Sequence, residues 1–150
     1  SYLLSYGSWR DKDDLAVVPT SNGQLTVYES IYSDNVISRV VAKDVTGVLS
    51  SDDGHYFVFT HTAGFGSYDV GRAKTYDGLY KEKVDSISWF NGAHVVVNSG
   101  DKTRLVEFDG GNATNIGTSL PIPSVGMHDQ HRILYVDAKT KQITVADLRK

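Results

Sequence analysis

The sequence predicts an all-β chain of four repeated units of about 38 residues. Three observations lead there. First, Gly54-His55-Tyr56-Phe57-Val58-Phe59 aligns with Gly92-Ala93-His94-Val95-Val96-Val97 and with Gln130-His131-Arg132-Ile133-Leu134-Tyr135, each step being 38 positions. Asp13-Asp14-Leu15-Ala16-Val17-Val18 is a looser copy. Second, each copy is a polar turn followed by a short β-branched or aromatic run, which suits a strand and is too short for a helix. Third, Gln24-Leu25-Thr26-Val27-Tyr28-Glu29 returns 118 positions later as Gln142-Ile143-Thr144-Val145-Ala146-Asp147, about three periods away. A strand-built period in this range is the signature of β-propeller blades. The expected organisation is one propeller-like domain with blades over residues 1–44, 45–83, 84–121 and 122–150, the last lacking its outer strand.

A blade is a four-stranded antiparallel meander whose two faces pack on neighbouring blades. Its second strand is therefore covered on both sides and reads as a continuous apolar run. Residues 15–18, 56–59, 95–97 and 133–136 read this way. First strands are expected over residues 2–6, 45–50, 84–90 and 124–127. Third strands follow over 24–29, 68–74, 103–108 and 142–147, and fourth strands over 36–41, 79–83 and 114–118. The turns agree. Asn22-Gly23, Asp53-Gly54 and Asn91-Gly92 are dipeptides that tolerate positive φ in tight hairpins. Asp109-Gly110-Gly111-Asn112 reverses the chain, and Pro121 and Pro123 lie between repeats, where no ladder hydrogen bond is lost. The fourth repeat has no outer strand, which leaves an unpaired edge. The strand is expected to come from residues preceding Ser1 within a larger ring; the alternatives are an open half-ring, or two chains joining as a homodimeric ring of about eight blades.

Composition excludes several functions. A net charge of −3 without clustered Lys and Arg argues against a nucleic-acid surface. The absence of cysteine removes disulfides, zinc–thiolate sites and thiol nucleophiles. No apolar stretch approaches the roughly 18 residues of a membrane span, so no membrane insertion by this segment is expected. The chain begins without Met, and an extracytoplasmic or membrane-anchored location through a segment before Ser1 stays open.

The stretch Val48-Leu49-Ser50-Ser51-Asp52-Asp53-Gly54-His55-Tyr56-Phe57-Val58-Phe59-Thr60 resembles the blade motif of WD40-like propellers of the TolB/PD40 type. The third repeat replaces that motif's Ser-x-Asp-Gly with Trp89-Phe90-Asn91-Gly92, the fourth loses the glycine, and the Trp-Asp dipeptide of standard WD40 repeats is absent. The resemblance implies a fold and a tendency to bind, as interaction module, regulatory domain or sensor. It assigns no residue a role.

The chemistry candidates are weak beside ordinary readings. His128-x-x-His131 with Asp129 lacks a third ligand at fixed spacing, and Asp11-Lys12-Asp13-Asp14 lacks the glycine and distal Glu of an EF-hand. No Gly-x-Ser-x-Gly elbow is present, and nothing sets two carboxylates across a cleft. His55 and Trp89 read as structural. Asn112-Ala113-Thr114 matches a glycosylation acceptor. No catalytic residue, metal site or cofactor is expected. The binding candidates are His61, Phe65 and Tyr68, on an apparent loop over residues 61–68, with Asp101 and Lys102 at the equivalent place in the third repeat. The expected function is a non-catalytic propeller scaffold binding a protein or surface ligand at this loop mouth. On that expectation, alanine at Phe65, Tyr68 and Lys102 weakens binding without lowering the melting temperature. The alternative is a regulatory or accessory propeller of a larger, hydrolase-type enzyme whose catalytic residues lie outside this chain.

Overall fold

The computed structural model describes residues 5–6, 16–19 and 22–149. Among the described residues the elements are strands, with one three-residue 3₁₀ turn. They form four antiparallel sheets in chain order. The first sheet holds β1 (Ser5–Tyr6), β2 (Ala16–Pro19), β3 (Leu25–Glu29) and β4 (Ile37–Ala42). The second holds β5 (Val45–Ser50), β6 (Tyr56–His61), β7 (Gly64–Asp69) and β8 (Lys74–Tyr80). The third holds β9 (Ser86–Asn91), β10 (His94–Ser99), β11 (Lys102–Glu107) and β12 (Thr114–Thr118). The fourth holds β13 (Val125–Met127), β14 (Arg132–Val136) and β15 (Ile143–Asp147), and among the described residues it has no outer strand. These are propeller-type blades. The acidic run Asp11–Asp14, Trp9 and the outer parts of the first repeat's leading strands lie outside the described residues.

The sheets stack face to face, and strand alternation explains how. Phe57 and Phe59 on β6 pack with Leu25 and Val27 of the first sheet. Val58 between them points the other way, to Val95, Val97 and Val106 of the third sheet. Val96 points onward again, to Ile133 of the fourth. Each of these second-strand residues is at most 1% exposed, which is why the run is apolar at every position. First strands of neighbouring sheets approach one another, β1 beside β5 and β9 beside β13. Trp89 ties two sheets together: its indole N–H donates to the Leu49 carbonyl at 3.3 Å.

Two sequence expectations need correction. Residues 61–68 are not a loop. The chain turns at Thr62-Ala63 and returns at once as β7, which is buried along its whole length, so the third strand begins at Gly64 rather than at Tyr68. The glycines hid the strand because their β propensity is low. Here each is required by close approach. A Cβ at Gly66 would stand 2.6 Å from the Phe59 ring, and one at Gly64 would stand 2.0 Å from the Tyr80 carbonyl oxygen. The segment after β7, expected as strand, is instead the turn to β8, where Asp69 Oδ1 accepts the Arg72 N–H at 2.9 Å. The second correction concerns Asn91-Gly92. Gly92 is not in the left-handed region. The turn closes instead through the Asn91 side chain, whose Oδ1 accepts the Ala93 and His94 N–H groups at 2.9 and 2.8 Å.

The motif Ser51–Tyr56 works as a folding signal. Ser51 Oγ donates to Asp53 Oδ1 at 2.6 Å and accepts the Tyr56 N–H at 3.0 Å, while Asp53 Oδ1 also accepts the His55 N–H at 3.1 Å. Burial alone would raise the Asp53 carboxyl, but these hydrogen bonds hold it below its ordinary value. A lowered folded-state pKa stabilises the fold above the unfolded pKa of about 4, and the stabilisation fades as pH falls through the lower folded value. Ser51→Ala is therefore expected to weaken the fold near neutral pH and to flatten the loss of stability on acidification. Urea midpoints between about pH 3 and 7 check this, and an unchanged acid slope would refute it.

Candidate functional site

The strand ends define two rims. The upper rim is where first strands finish, at Ser50, Asn91 and Met127; the lower rim is where they begin.

At the upper rim, turns from three successive sheets border one open groove of about 500 Å³. Asp52 comes from the β5–β6 turn, and Trp89 and Asn91 from the end of β9. His128, Asp129 and Gln130 come from the 3₁₀ turn before β14. Local structure fixes each piece. His131 takes a left-handed conformation (φ 52°) and donates its N–H to the His128 carbonyl, which closes that turn. The His128 ring meets Phe90 edge-on at 5.7 Å, and Gly126 lets β13 approach Phe90. Asp52 and Asp129 are exposed, so their carboxylates stand at the groove's margin. Carboxylates and amides beside aromatic side chains suit a cationic or hydrogen-bonding ligand. His128 lies 6.2 Å from His131, ring to ring, and among the described residues no group of three His, Cys, Asp or Glu side chains could hold a metal ion. Sequence reasoning passed over this groove because its residues sit in three different repeats. What they share in sequence is a place at, or just after, the end of a first strand.

The five residues singled out in the sequence separate by burial. Phe65 and Tyr68 are 0% and 1% exposed. Phe65 packs with Val58, Tyr80 and Val95, and Tyr68 with Leu25, Val27 and Phe57. They are core residues, and the exposed patch expected around them does not form. His61, Asp101 and Lys102 do share the lower rim. His61 Nδ1 accepts the Ala63 N–H at 3.3 Å, which leaves Nε2 to donate to Asp77 Oδ1 at 3.0 Å. Asp101, in the β10–β11 turn, and Lys102, the first residue of β11, are exposed. Beside them Glu82 pairs with Arg104, and Asp85 accepts from Lys83 at 2.9 Å and from the Gly100 N–H at 2.8 Å. The Arg104 hydrogen bond holds the Glu82 carboxyl below its usual range, and the Lys83 hydrogen bond does the same for Asp85. This rim is laced with ion pairs at the surface, where each contributes little. His55 is structural: its Nε2 lies 3.3 Å from buried Asp69, and its ring stacks on Tyr56.

No protein-family model matches the sequence, and no curated protein matches it. Solved structures do. Hsv2 of Kluyvelomyces marxianus is similar over 100% of this chain and 48% of its own, with a TM-score of 0.58 and 12% identity. The dihydro-heme d1 dehydrogenase NirN, solved in complex with DHE, is similar over 97% of this chain and 35% of its own, with a TM-score of 0.61 and 16% identity. The Cps50 (Swd1) β-propeller domain of Myceliophteria thermophila is similar over 92% of this chain and 57% of its own, with a TM-score of 0.51 and 10% identity. The chain thus spans between about a third and somewhat over half of these three chains. At such identities the likeness shows the fold alone, a β-propeller. No helix among the described residues is long and apolar enough to cross a membrane.

Proposed function

We propose that this chain is a non-catalytic propeller scaffold of the TolB/PD40 type that binds a protein or surface ligand at its rims. The observation that carries the reading is the upper groove, where turns of three sheets bring Asp52, Asn91, His128, Asp129 and Gln130 around Trp89 and Phe90. Loops held on a rigid stack of sheets are where a propeller can vary contacts without disturbing its core. With two carboxylates at its margin, the groove favours a positively charged segment of a partner. His61, Asp101 and Lys102 form a second contact surface at the lower rim, and Phe65 and Tyr68 support it only through the core. The Ser51–Tyr56 hydrogen bonds support the TolB/PD40 assignment, since they give that motif its turn.

Tryptophan fluorescence tests the groove, because Trp89 lines it. Titration with a tetralysine peptide at low salt is expected to give a saturable change. Asp52→Asn combined with Asp129→Asn is expected to weaken that binding at least tenfold while leaving the melting temperature unchanged. No saturable change, or equal binding of tetraglutamate, would overturn the assignment.

A further inference from the structure

We propose that the upper groove is gated by acid: as pH falls, protonation of His128 repels the cationic ligand that the groove takes near neutral pH. The inference rests on the groove reading above. It comes from where the histidines stand. The chain has five, and four of them lie at the upper rim. His55, His94 and His131 each stand at the start of a second strand, and His128 lies in the 3₁₀ turn before β14. The fifth, His61, is at the lower rim. Histidine is the side chain that ordinarily changes charge between about pH 5 and 8. Acidification over that range therefore places most of its new positive charge on the rim that carries the groove.

Among these, His128 lines the groove. Its side chain is 54% exposed, so protons from solvent reach it freely. Its Nδ1 lies 3.6 Å from Asp129 Oδ1, and its ring meets Phe90 edge-on. Protonation acts there twice. It adds a positive charge to the groove wall, and it gives Asp129 a partner, which draws one of the groove's two carboxylates away from the ligand. The surrounding groups leave this effect standing. From β9 the groove receives Trp89, Phe90 and Asn91, and from β13 Gly126 and Met127, none of them charged. From the β5–β6 turn comes Asp52, the second carboxylate. His131 lies ring to ring with His128, and His94 Nδ1 donates to Asn91 Oδ1 at 3.0 Å, so protonation of either adds charge of the same sign nearby. Arg132 and Arg149, which follow on β14 and after β15, are both paired with Asp147. His55 turns to buried Asp69 instead.

Fluorescence anisotropy of a tetralysine peptide, dye-labelled at its N-terminus, tests this with the full chain at low and constant ionic strength. The label makes the readout independent of Trp89 emission, which a nearby protonated imidazole would itself alter. Binding is expected to be at least about threefold weaker at pH 5.5 than at pH 7.5, with the circular dichroism spectrum unchanged. Carboxylates and lysine ammonium groups ordinarily keep their charge across that interval, so the difference reports on histidine. In His128→Gln the ratio of the two dissociation constants is expected to fall towards one, whatever the affinity at pH 7.5. Equal affinity of the wild type at both pH values would overturn the gate and leave the groove reading intact. So would a ratio undiminished in His128→Gln, which would move the effect to His94 and His131. An absence of saturable binding at pH 7.5 would overturn the groove reading, and the gate with it.

Discussion

Phe65→Ala is expected to destabilise the fold by about 3–5 kcal/mol, the usual range for deleting a buried phenyl ring. Phe65 is fully buried, and its ring lies 5.1 Å from that of Tyr80 in the interface between the second and third sheets. Removing it opens a cavity among residues fixed by two ladders, so little collapse can fill the space. Domain stabilities are commonly about 5–15 kcal/mol, so the variant should melt far below wild type. Guanidinium denaturation followed by circular dichroism gives the value. A loss under about 1 kcal/mol would mean that the ring is not in the core. Lys102→Ala is the internal contrast: it is exposed on the lower rim and should leave stability unchanged.

Asn98→Ala is expected to lose about 2–3 kcal/mol, through unpaired polar groups rather than lost apolar contact. Asn98 is 1% exposed and uses both ends of its amide. Its Nδ2 donates to Thr103 Oγ1 at 3.0 Å and to Ser119 Oγ at 3.2 Å. Its Oδ1 accepts from Ser86 Oγ at 3.0 Å and from the Ser124 N–H at 3.1 Å. Thr103 and Ser124 touch in turn, hydroxyl to hydroxyl at 3.2 Å. The amide therefore joins three strands of the third sheet's lower end to the 119–124 link that leads into the fourth sheet. Truncation leaves the buried Ser124 N–H without its acceptor. Hydrogen exchange gives the more specific readout, because the Ser124 amide should lose protection beyond the global loss. Unchanged protection there would refute the linking role.

Much of the fold was readable because burial on both faces leaves a distinctive trace. Phe57, Val58 and Phe59 alternate between two neighbouring sheets, yet every position must be apolar, and the same holds for Val95, Val96 and Val97. The run, its polar turn and its 38-residue step are local properties of the chain. The upper groove was not readable, because Asp52, Trp89 and His128 approach one another only when three repeats stack. Asp101 lies in the β10–β11 turn and Lys102 opens β11, and both are exposed, a placement their polarity signals locally.

The segment from Gly64 to Tyr68 marks the boundary between what pattern and what packing decided. Its composition of glycine and serine around two aromatics reads as a flexible, exposed loop. Whether Gly66 belongs to a loop or to a buried strand depends on Phe59, which lies on the neighbouring strand and fills the space where a Cβ would stand. Composition and periodicity along the chain determined that this protein is a stack of short-stranded sheets. Cross-strand and cross-sheet contact decided which aromatic residues face water, because burial is a property of neighbours that are distant in sequence.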